Sequence, residues 1–235
     1  MNAEERLERD AERTWELLGH LFKTHPWHGV PTGDEAPRVV TVYVEIVPSD
    51  AVKYEVDKPT GHLRVDRPQR FSSVCPTLYG FIPRTFCGDG VAELARRRTG
   101  RDSLGGDHDP LDICVLSERL FTHGDFLLEA APIGGLRVID KGQADDKIIA
   151  VLEGDVAYGR VADLADVPRP LLDRLEHYFL SYKLPPGAPP AADEVTVAGF
   201  YGRAEALEVI ERSAADYRAS FPDLKRQLLA TLRGA

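Results

Sequence analysis

The chain has 235 residues, of which 43% are hydrophobic and 29% are charged, and its net charge is −9. This length allows one domain with a sizeable core or at most two small ones, and the composition is typical of a soluble globular protein. No run approaches the roughly 18–20 apolar residues of a membrane span. The acidic surface would repel the phosphates of a nucleic acid. We therefore expect a soluble protein without a membrane or nucleic-acid partner.

The N-terminus and the cysteines indicate where such a protein works. The first residues are charged and lack the apolar core of a secretory signal. Three cysteines, Cys75, Cys87 and Cys114, are an odd number without a CxxC pair. This usage is typical of free thiols in a reducing compartment. The sequence therefore predicts a cytoplasmic location.

The first 37 residues predict a helical extension and a linker. Apolar residues at helical spacing over 3–24 form one stripe, which consists of Leu7, Ala11, Trp15, Leu18, Leu21 and Phe22. Residues 25–37 are rich in Pro and Gly and predict a surface linker. We expect residues 1–37 to pack as an extension on the domain formed by residues 38–235, or on a neighbouring subunit.

The remaining chain predicts a β-rich domain followed by helices. Strand-like runs separated by turn signals occupy 39–47, 52–56, 62–67, 111–116, 126–140 and 147–152. Many short strands indicate a small barrel or sandwich, and a helix-compatible run marks 87–105 as an insertion between two strands. Helices are predicted over 170–183, 204–220 and 223–232, with a proline-rich break at 185–192 and a short strand at 195–200.

Charged residues interrupt the apolar strands. Glu45 shares a face of the first strand with Tyr43, Lys53 and Glu55 share a face of the second, and Arg67 ends the third. The opposite face of the first strand carries Val42, Val44 and Ile46. Burying charges of both signs without partners is costly. These faces are therefore either exposed to solvent or line a charged site.

Two acidic groups lie beside apolar strands. Asp107, Asp109 and Asp112 fall within six residues, and the second group consists of Asp140, Asp145 and Asp146. Clustered carboxylates repel one another unless they are solvated or hold cations. Such oxygen ligands suit Mg²⁺, whereas an EF-hand loop is excluded because Asp112 occupies its obligatory glycine position, and no zinc motif is present.

Cationic and phenolic side chains add donors for an anion. Each one alone is compatible with an ordinary surface residue, and no Walker-type phosphate loop is present. Together with the acids they predict a metal-assisted site for a phosphorylated anion. These donors are Lys53, Arg67, Tyr79, Lys147, Tyr182 and Lys183.

Seven segments occur in the order found in one enzyme family: residues 44–48, 52–61, 63–67, 78–85, 106–116, 132–152 and 175–183. The GDHDPLD and D-x(4)-DDK elements among them are specific, and the chain resembles the family I soluble inorganic pyrophosphatases over about residues 40–202. The resemblance implies an α+β, mainly β fold, in which helices flank a five-stranded OB-like barrel. It also implies Mg²⁺-dependent hydrolysis of pyrophosphate to two phosphates in a homo-oligomer, with several Mg²⁺ ions in each active site.

The resemblance implies a role for each matching residue. Asp109 corresponds to the general base that hydrogen-bonds the nucleophilic water. The metal ligands correspond to Asp107, Asp112, Asp140 and Asp145, and the acids that hold metal-bound waters to Glu45 and Glu55. The pyrophosphate-binding positions correspond to Lys53, Arg67, Tyr79, Lys147, Tyr182 and Lys183.

Three features depart from the family pattern. Cys75 stands where many members carry a tyrosine, and Lys141 stands where an acid is frequent. The insertion at 87–105 is absent from the shortest members, and we hypothesise that it covers the site entrance or an interface.

Two alternative functions are weighed against the pyrophosphatase. A broader metal-dependent phosphohydrolase would act on nucleotides or organic phosphates with the same metal chemistry. An OB-type module for single-stranded nucleic acid would need a basic groove with stacking aromatic rings, whereas this chain carries carboxylates there.

Overall fold

The computed structural model describes residues 3–70, 72–183, 195–221, 223, 227–228 and 230–231. The helices in this part of the chain are α1 Ala3–Leu21, α2 Asp89–Thr99, α3 Arg169–Ser181 and α4 Arg203–Ser220. The strands there are β1 Val40–Ile46, β2 Val52–Val56, β3 Leu63–Pro68, β4 Leu78–Phe81, β5 Gly105–Gly106, β6 Asp112–Leu116, β7 Phe126–Asp140, β8 Gln143–Ala144, β9 Lys147–Leu152 and β10 Thr196–Gly202.

Five strands close into a ring in the order β1-β4-β6-β9-β7, and β7 returns to pair with β1. Neighbours in the ring are antiparallel except for β6 and β9, which are parallel. Closure leaves none of these five strands with an unpaired edge inside the ring. The prediction of a five-stranded OB-like barrel with flanking helices is therefore confirmed.

The register of β1 differs from the predicted simple alternation. Val42 and Val44 belong to one buried cluster, whereas Ile46 packs in a second cluster beside α3. The pairing of β1 with β4 shifts between Val44 and Ile46, and such an irregularity turns the following side chains. The prediction that Ile46 shares a face with Val42 and Val44 is therefore wrong.

Strand β4 was not among the predicted strands. All four of its residues are buried, so it lacks the alternation that marks a half-exposed strand. It lies between β1 and β6, and a Cβ at Gly80 would overlap the carbonyl oxygen of Tyr43. A glycine is therefore required where β4 approaches β1.

The insertion folds as α2 and packs against α4. Val91 and Leu94 of α2 are buried in the barrel-side core. The first turn of α2 has no capping side chain of its own. Instead, the carboxylate of Asp216 in α4 accepts hydrogen bonds from the backbone N–H groups of Gly88, Gly90 and Val91 at 3.0–3.1 Å. One side chain thus fixes the start of the inserted helix to α4.

We expect Asp216→Ala to lower the free energy of unfolding by about 1–2 kcal/mol, the range found when a helix loses its N-terminal cap. Urea denaturation followed by circular dichroism measures this change. Glu211→Ala, at an exposed position of the same helix, is the matched control and should change the stability by less than about 0.5 kcal/mol. Equal stabilities of the two variants would contradict this role of Asp216.

The extension begins with α1, which ends at Leu21 rather than at the predicted residue 24. Leu18 and Phe22 remain 40% and 67% exposed, and Lys23 contacts Asp125, the residue before β7. Packing of the extension on a neighbouring subunit stays a prediction. Most of the predicted helix over 223–232 and the proline-rich break at 185–192 lie outside the described residues. Within the described part, no helix has both the length and the apolar character to cross a bilayer.

Candidate active site

Strand ends at one end of the barrel bring the charged residues together. Asp112 begins β6 and Lys147 begins β9, and these two residues are paired in the parallel register. Asp140 ends β7. Tyr79 lies in β4, next to β6. The register therefore gathers residues that are far apart in the sequence.

Lys147 lies between two carboxylates. Its ammonium contacts both Asp112 and Asp145, and the hydroxyl of Tyr79 donates to Asp112. Burial opposes the charge of Lys147, but the two carboxylates raise its pKa well above the ordinary value. Burial also raises the pKa of Asp112. Buried charges of both signs are thus paired here, as their desolvation requires.

A tight turn presents the other two acids of the first cluster. His108 adopts a positive φ of 61°, which lets the chain reverse between Asp107 and Asp109. Asp107 accepts a hydrogen bond from the backbone N–H of Asp109 at 3.0 Å. Burial and the nearby Asp145 carboxylate raise the pKa of Asp107 to about 9. A cation bound at this point would therefore stabilise the ionised form of Asp107.

A second part of the site surrounds Asp140. The ammonium of Lys183 lies 2.6 Å from one oxygen of Asp140 and over the ring of Tyr182. The guanidinium of Arg67 lies 5.6 Å from the centre of the same ring. Two buried atoms in this part of the site have no hydrogen-bond partner among the described residues, namely Asp140 Oδ1 and Arg67 Nη2. The acceptor Asp140 Oδ1 is therefore available to a cation, and the donor Arg67 Nη2 is available to an anion.

The β2–β3 hairpin supplies a further charged wall. Lys53 pairs with Glu55 at 3.5 Å and with Asp66 at 3.1 Å, and Arg67 pairs with Asp66 at 2.5 Å. Glu45 is buried and accepts a hydrogen bond from the backbone N–H of Val56 at 2.7 Å. Burial raises the pKa of Glu45 to about 8. Glu45, Lys53 and Glu55 thus line one cavity, whereas Arg64 in β3 is exposed to solvent.

A cavity joins parts of these groups. Six of the predicted site residues line this cavity. The other predicted site residues are connected to these six by the contacts described above. No residue of α2 lines the cavity. The entrance cover hypothesised for the insertion is thus not observed, and its role at an interface stays a prediction. The lining residues are Trp27, Glu45, Lys53, Glu55, Val56, Lys58, Tyr79, Phe81, Asp109, Pro110 and Asp112.

Asp146 does not join the second acidic group at the site. Its carboxylate pairs with Arg137 at 3.0 Å and accepts a hydrogen bond from the hydroxyl of Tyr201 at 3.1 Å. Arg137 also binds Glu205 of α4 at 2.8 Å. Asp145 and Asp146 lie between β8 and β9, and their carboxylates have different partners. Asp145 contacts Lys147 of the candidate site, whereas Asp146 joins the barrel to α4 through Arg137.

The family model of inorganic pyrophosphatase matches residues 42–218. The chain belongs to the inorganic pyrophosphatase family. The inorganic pyrophosphatase of Chlamydia muridarum is 50% identical over 201 residues, which cover 84% of this chain and 95% of the relative. Soluble inorganic pyrophosphatase 1 of Arabidopsis thaliana is 36% identical and covers 89% of this chain and 90% of its own. The resemblance deduced from the motifs is confirmed.

Solved structures of the family share this fold. The crystal structure of inorganic pyrophosphatase from Thermus thermophilus superposes with a TM-score of 0.67 at 29% identity, and covers 83% of this chain and 99% of its own. The structure from Helicobacter pylori gives a TM-score of 0.65 at 30% identity. These matches cover most of each chain, so the barrel and its helices have the arrangement found in these family structures.

The donor set of this pyrophosphatase fits a hard cation. Carboxylate oxygens predominate, Asp140 Oδ1 is buried without a partner, and the carboxylate of Asp107 is under-compensated. Among the described residues, no three acidic, histidine or cysteine side chains already surround one point at metal-binding distances. The oxygen donors of these residues are thus of the type that Mg²⁺ prefers. The ammonium of Lys147 lies between Asp112 and Asp145 and supplies positive charge there.

Sequence reasoning missed three residues of the candidate site. Lys58 contacts Asp109, Asp66 joins Lys53 to Arg67, and Trp27 lines the cavity. Lys58 and Asp66 lie within the family-like segments, Asp66 directly before Arg67 and Lys58 three residues after Glu55. A charged residue close to a predicted site residue is therefore a usable signal. Trp27 lies in the predicted linker, where no local signal indicates a site.

Two of the three departures from the family pattern, Cys75 and Lys141, differ in their surroundings. Cys75 is buried with its sulfur 4.0 Å from the hydroxyl of Thr77, and burial raises the pKa of its thiol to about 11. A neutral, packed thiol is the result. Lys141 is exposed at a positive φ of 49° in the turn between β7 and β8. Nothing in the structure explains the lysine at this position.

Proposed function

We propose that this chain catalyses the Mg²⁺-dependent hydrolysis of inorganic pyrophosphate to two phosphates. The proposal rests mainly on one observation: acidic and cationic side chains lie together at one end of the barrel. Among them, the buried acceptor Asp140 Oδ1 and the buried donor Arg67 Nη2 have no partner among the described residues. Family membership over residues 42–218 supports the choice of pyrophosphate among phosphorylated anions.

Asp107, Asp112, Asp140 and Asp145 would hold Mg²⁺, with Glu45 and Glu55 in the surrounding acidic shell. Bound Mg²⁺ would lower the pKa of water and neutralise phosphoryl oxygens. The chain supports this by placing Asp107 near Asp145, whose negative charge adds to burial in raising the pKa of Asp107. It holds Asp112 beside them through Lys147.

Asp109 acts as the general base. Its carboxylate is 42% exposed and lines the cavity, so a water molecule can reach it. Its backbone is fixed by the hydrogen bond to Asp107. Asp109 accepts the proton of the attacking water as the new P–O bond forms.

The donors around the cavity bind the pyrophosphate oxygens. Lys and Arg charges stabilise the negative charge that develops on the departing phosphate. Arg67 Nη2 is a free buried donor for such an oxygen. The remaining donors are Lys53, Tyr79, Lys147, Tyr182 and Lys183.

A broader phosphohydrolase remains the second candidate because the rings of Trp27 and Phe81 line the cavity. We expect phosphate release from pyrophosphate with Mg²⁺, and at least about 100-fold slower release from ATP, since the adenosine group must be desolvated without matching contacts. Colorimetric phosphate detection on the purified full chain measures both rates. Equal turnover of ATP would favour the broader enzyme, and a folded sample without pyrophosphate turnover would refute both.

We also infer that the enzyme is a homo-oligomer and that it works in the cytoplasm. Three free, buried cysteines support a reducing compartment. Light scattering after size-exclusion chromatography measures the assembly, and a monomer at micromolar concentration would exclude the homo-oligomer.

A further inference from the structure

Residues 25–29, between α1 and β1, form a turn held by one histidine. The backbone N–H of Gly29 donates to the carbonyl of His25 at 2.8 Å. The ring Nδ1 of His25 accepts from the backbone N–H groups of Trp27 and His28 at 3.2 and 3.3 Å. Because Nδ1 accepts, the ring proton is on Nε2, which lies 2.9 Å from the carbonyl oxygen of Lys58. His25 therefore donates to the backbone of Lys58.

This hydrogen bond joins the turn to residues 57–61, which follow β2. The backbone N–H groups of Thr60 and Gly61 donate to the carbonyl of Asp57 at 3.1 and 2.7 Å. Gly61 adopts a φ of +73°, and a Cβ there would lie 2.9 Å from carbons of both His25 and Pro26. The 57–61 turn is thus packed directly on the 25–29 turn. Its Lys58 ammonium contacts the carboxylate of Asp109.

The 25–29 turn also supports the chain on the other side of Asp109. The indole N–H of Trp27 donates to the carbonyl of Thr85 at 2.8 Å, and the hydroxyl of Thr85 accepts from the backbone N–H of Leu111 at 2.9 Å. The backbone N–H of Cys87 donates to the carbonyl of Asp109 at 2.8 Å. The 25–29 turn therefore contacts the segment that binds the backbone of Asp109. It also contacts the 57–61 turn, whose Lys58 ammonium contacts the Asp109 carboxylate.

We propose that His25 is a positioning residue for the hydrolytic reaction: it anchors the Lys58 backbone so that the Lys58 ammonium orients the Asp109 carboxylate. The inference rests on the proposed function, in which Asp109 accepts the proton of water. A lysine has a long, flexible side chain, and fixing its backbone limits where the ammonium lies. General-base catalysis depends on such orientation, because a displacement of about 1 Å costs up to about 100-fold in rate. The predicted linker is then a part of the active site.

The first experiment compares His25→Asn with wild type. Asparagine retains a side-chain acceptor for the N–H groups of the turn but has no donor long enough to replace Nε2. We expect kcat for pyrophosphate to fall about tenfold, with KM within about twofold because His25 itself does not touch the substrate site. His20→Asn, an exposed position at the end of α1, is the matched control and should retain wild-type kcat.

A double-mutant cycle with Lys58 separates positioning from a general loss of stability. Lys58→Met should lower kcat about tenfold, and Lys58→Arg should retain most of it because a cation is kept. His25→Asn should then have little further effect on kcat in the Lys58→Met background. Independent, multiplicative effects would show that His25 does not act through Lys58, and would overturn the inference.

Other outcomes of these experiments also test the role of His25. Wild-type kcat in His25→Asn, with wild-type pyrophosphate hydrolysis present, would overturn it while leaving the proposed function intact. An inactive wild type would overturn the proposed function and the inference with it. If His25→Asn does not fold, the comparison of Lys58→Met with Lys58→Arg still decides, since equal kcat values in both and in wild type would refute a role for the Lys58 ammonium.

Discussion

Asp112→Asn is expected to lower kcat for pyrophosphate by about 10³-fold, within the range seen when one electrostatic element of an active site is removed. The substitution keeps the shape and the acceptor for the hydroxyl of Tyr79 but removes the charge between Tyr79 and Lys147. Lys147 stays paired with Asp145, so we expect the fold to be retained. Steady-state phosphate release and thermal unfolding of the same samples measure both effects.

Two further variants make this prediction specific. Asp109→Asn should lower kcat by about 10²-fold or more, as the loss of a general base does, while stabilisation by Mg²⁺ persists. Cys75→Ala should change kcat by less than about threefold, because its thiol is neutral and packed against Thr77; its cost is about 1 kcal/mol of stability. Equal, mild losses in Asp112→Asn and Cys75→Ala would show that the residue roles are assigned wrongly.

Removal of divalent metal by a chelator is expected to abolish turnover, and excess Mg²⁺ should restore it. The physical reason is that carboxyl groups of the site lack partners for their ionised form: burial and the nearby Asp145 carboxylate raise the pKa of Asp107 to about 9, and Asp140 Oδ1 has no partner among the described residues. Mg²⁺ at 100 times its dissociation constant would also stabilise the folded state by about 2.7 kcal/mol. Thermal unfolding with and without Mg²⁺ measures this stabilisation.

Monovalent salt at matched ionic strength is the control for the metal experiment. It screens the carboxylates but does not replace a multidentate cation, so it should restore neither turnover nor stability. Asp112→Asn should show a smaller stabilisation by Mg²⁺ than Asp109→Asn. Undiminished turnover in the presence of the chelator would contradict a metal-dependent reaction.

Much of the fold could be predicted because its signals are local. Strands β1, β2, β3, β6, β7 and β9 follow apolar runs with turn residues between them, and α3 and α4 follow a helical repeat of apolar residues. β4 could not be predicted in this way, since a strand buried on both faces shows no alternation. The irregular pairing at Val44 and Ile46 was equally hidden, because it depends on the partner strand.

The sequence by itself determined, through its motifs, the family to which the chain belongs, and it predicted which side chains carry the chemistry. Only the tertiary structure decided which of them meet. Asp145 and Asp146 are neighbours of the same type, yet one contacts Lys147 and the other Arg137, because the pairing of β9 with β7 decides where these two cations lie. His25 and Lys58 are 33 residues apart, and their contact arises from packing between a linker and a turn. Local patterns record what one segment prefers, whereas contacts between distant segments depend on the closed barrel as a whole.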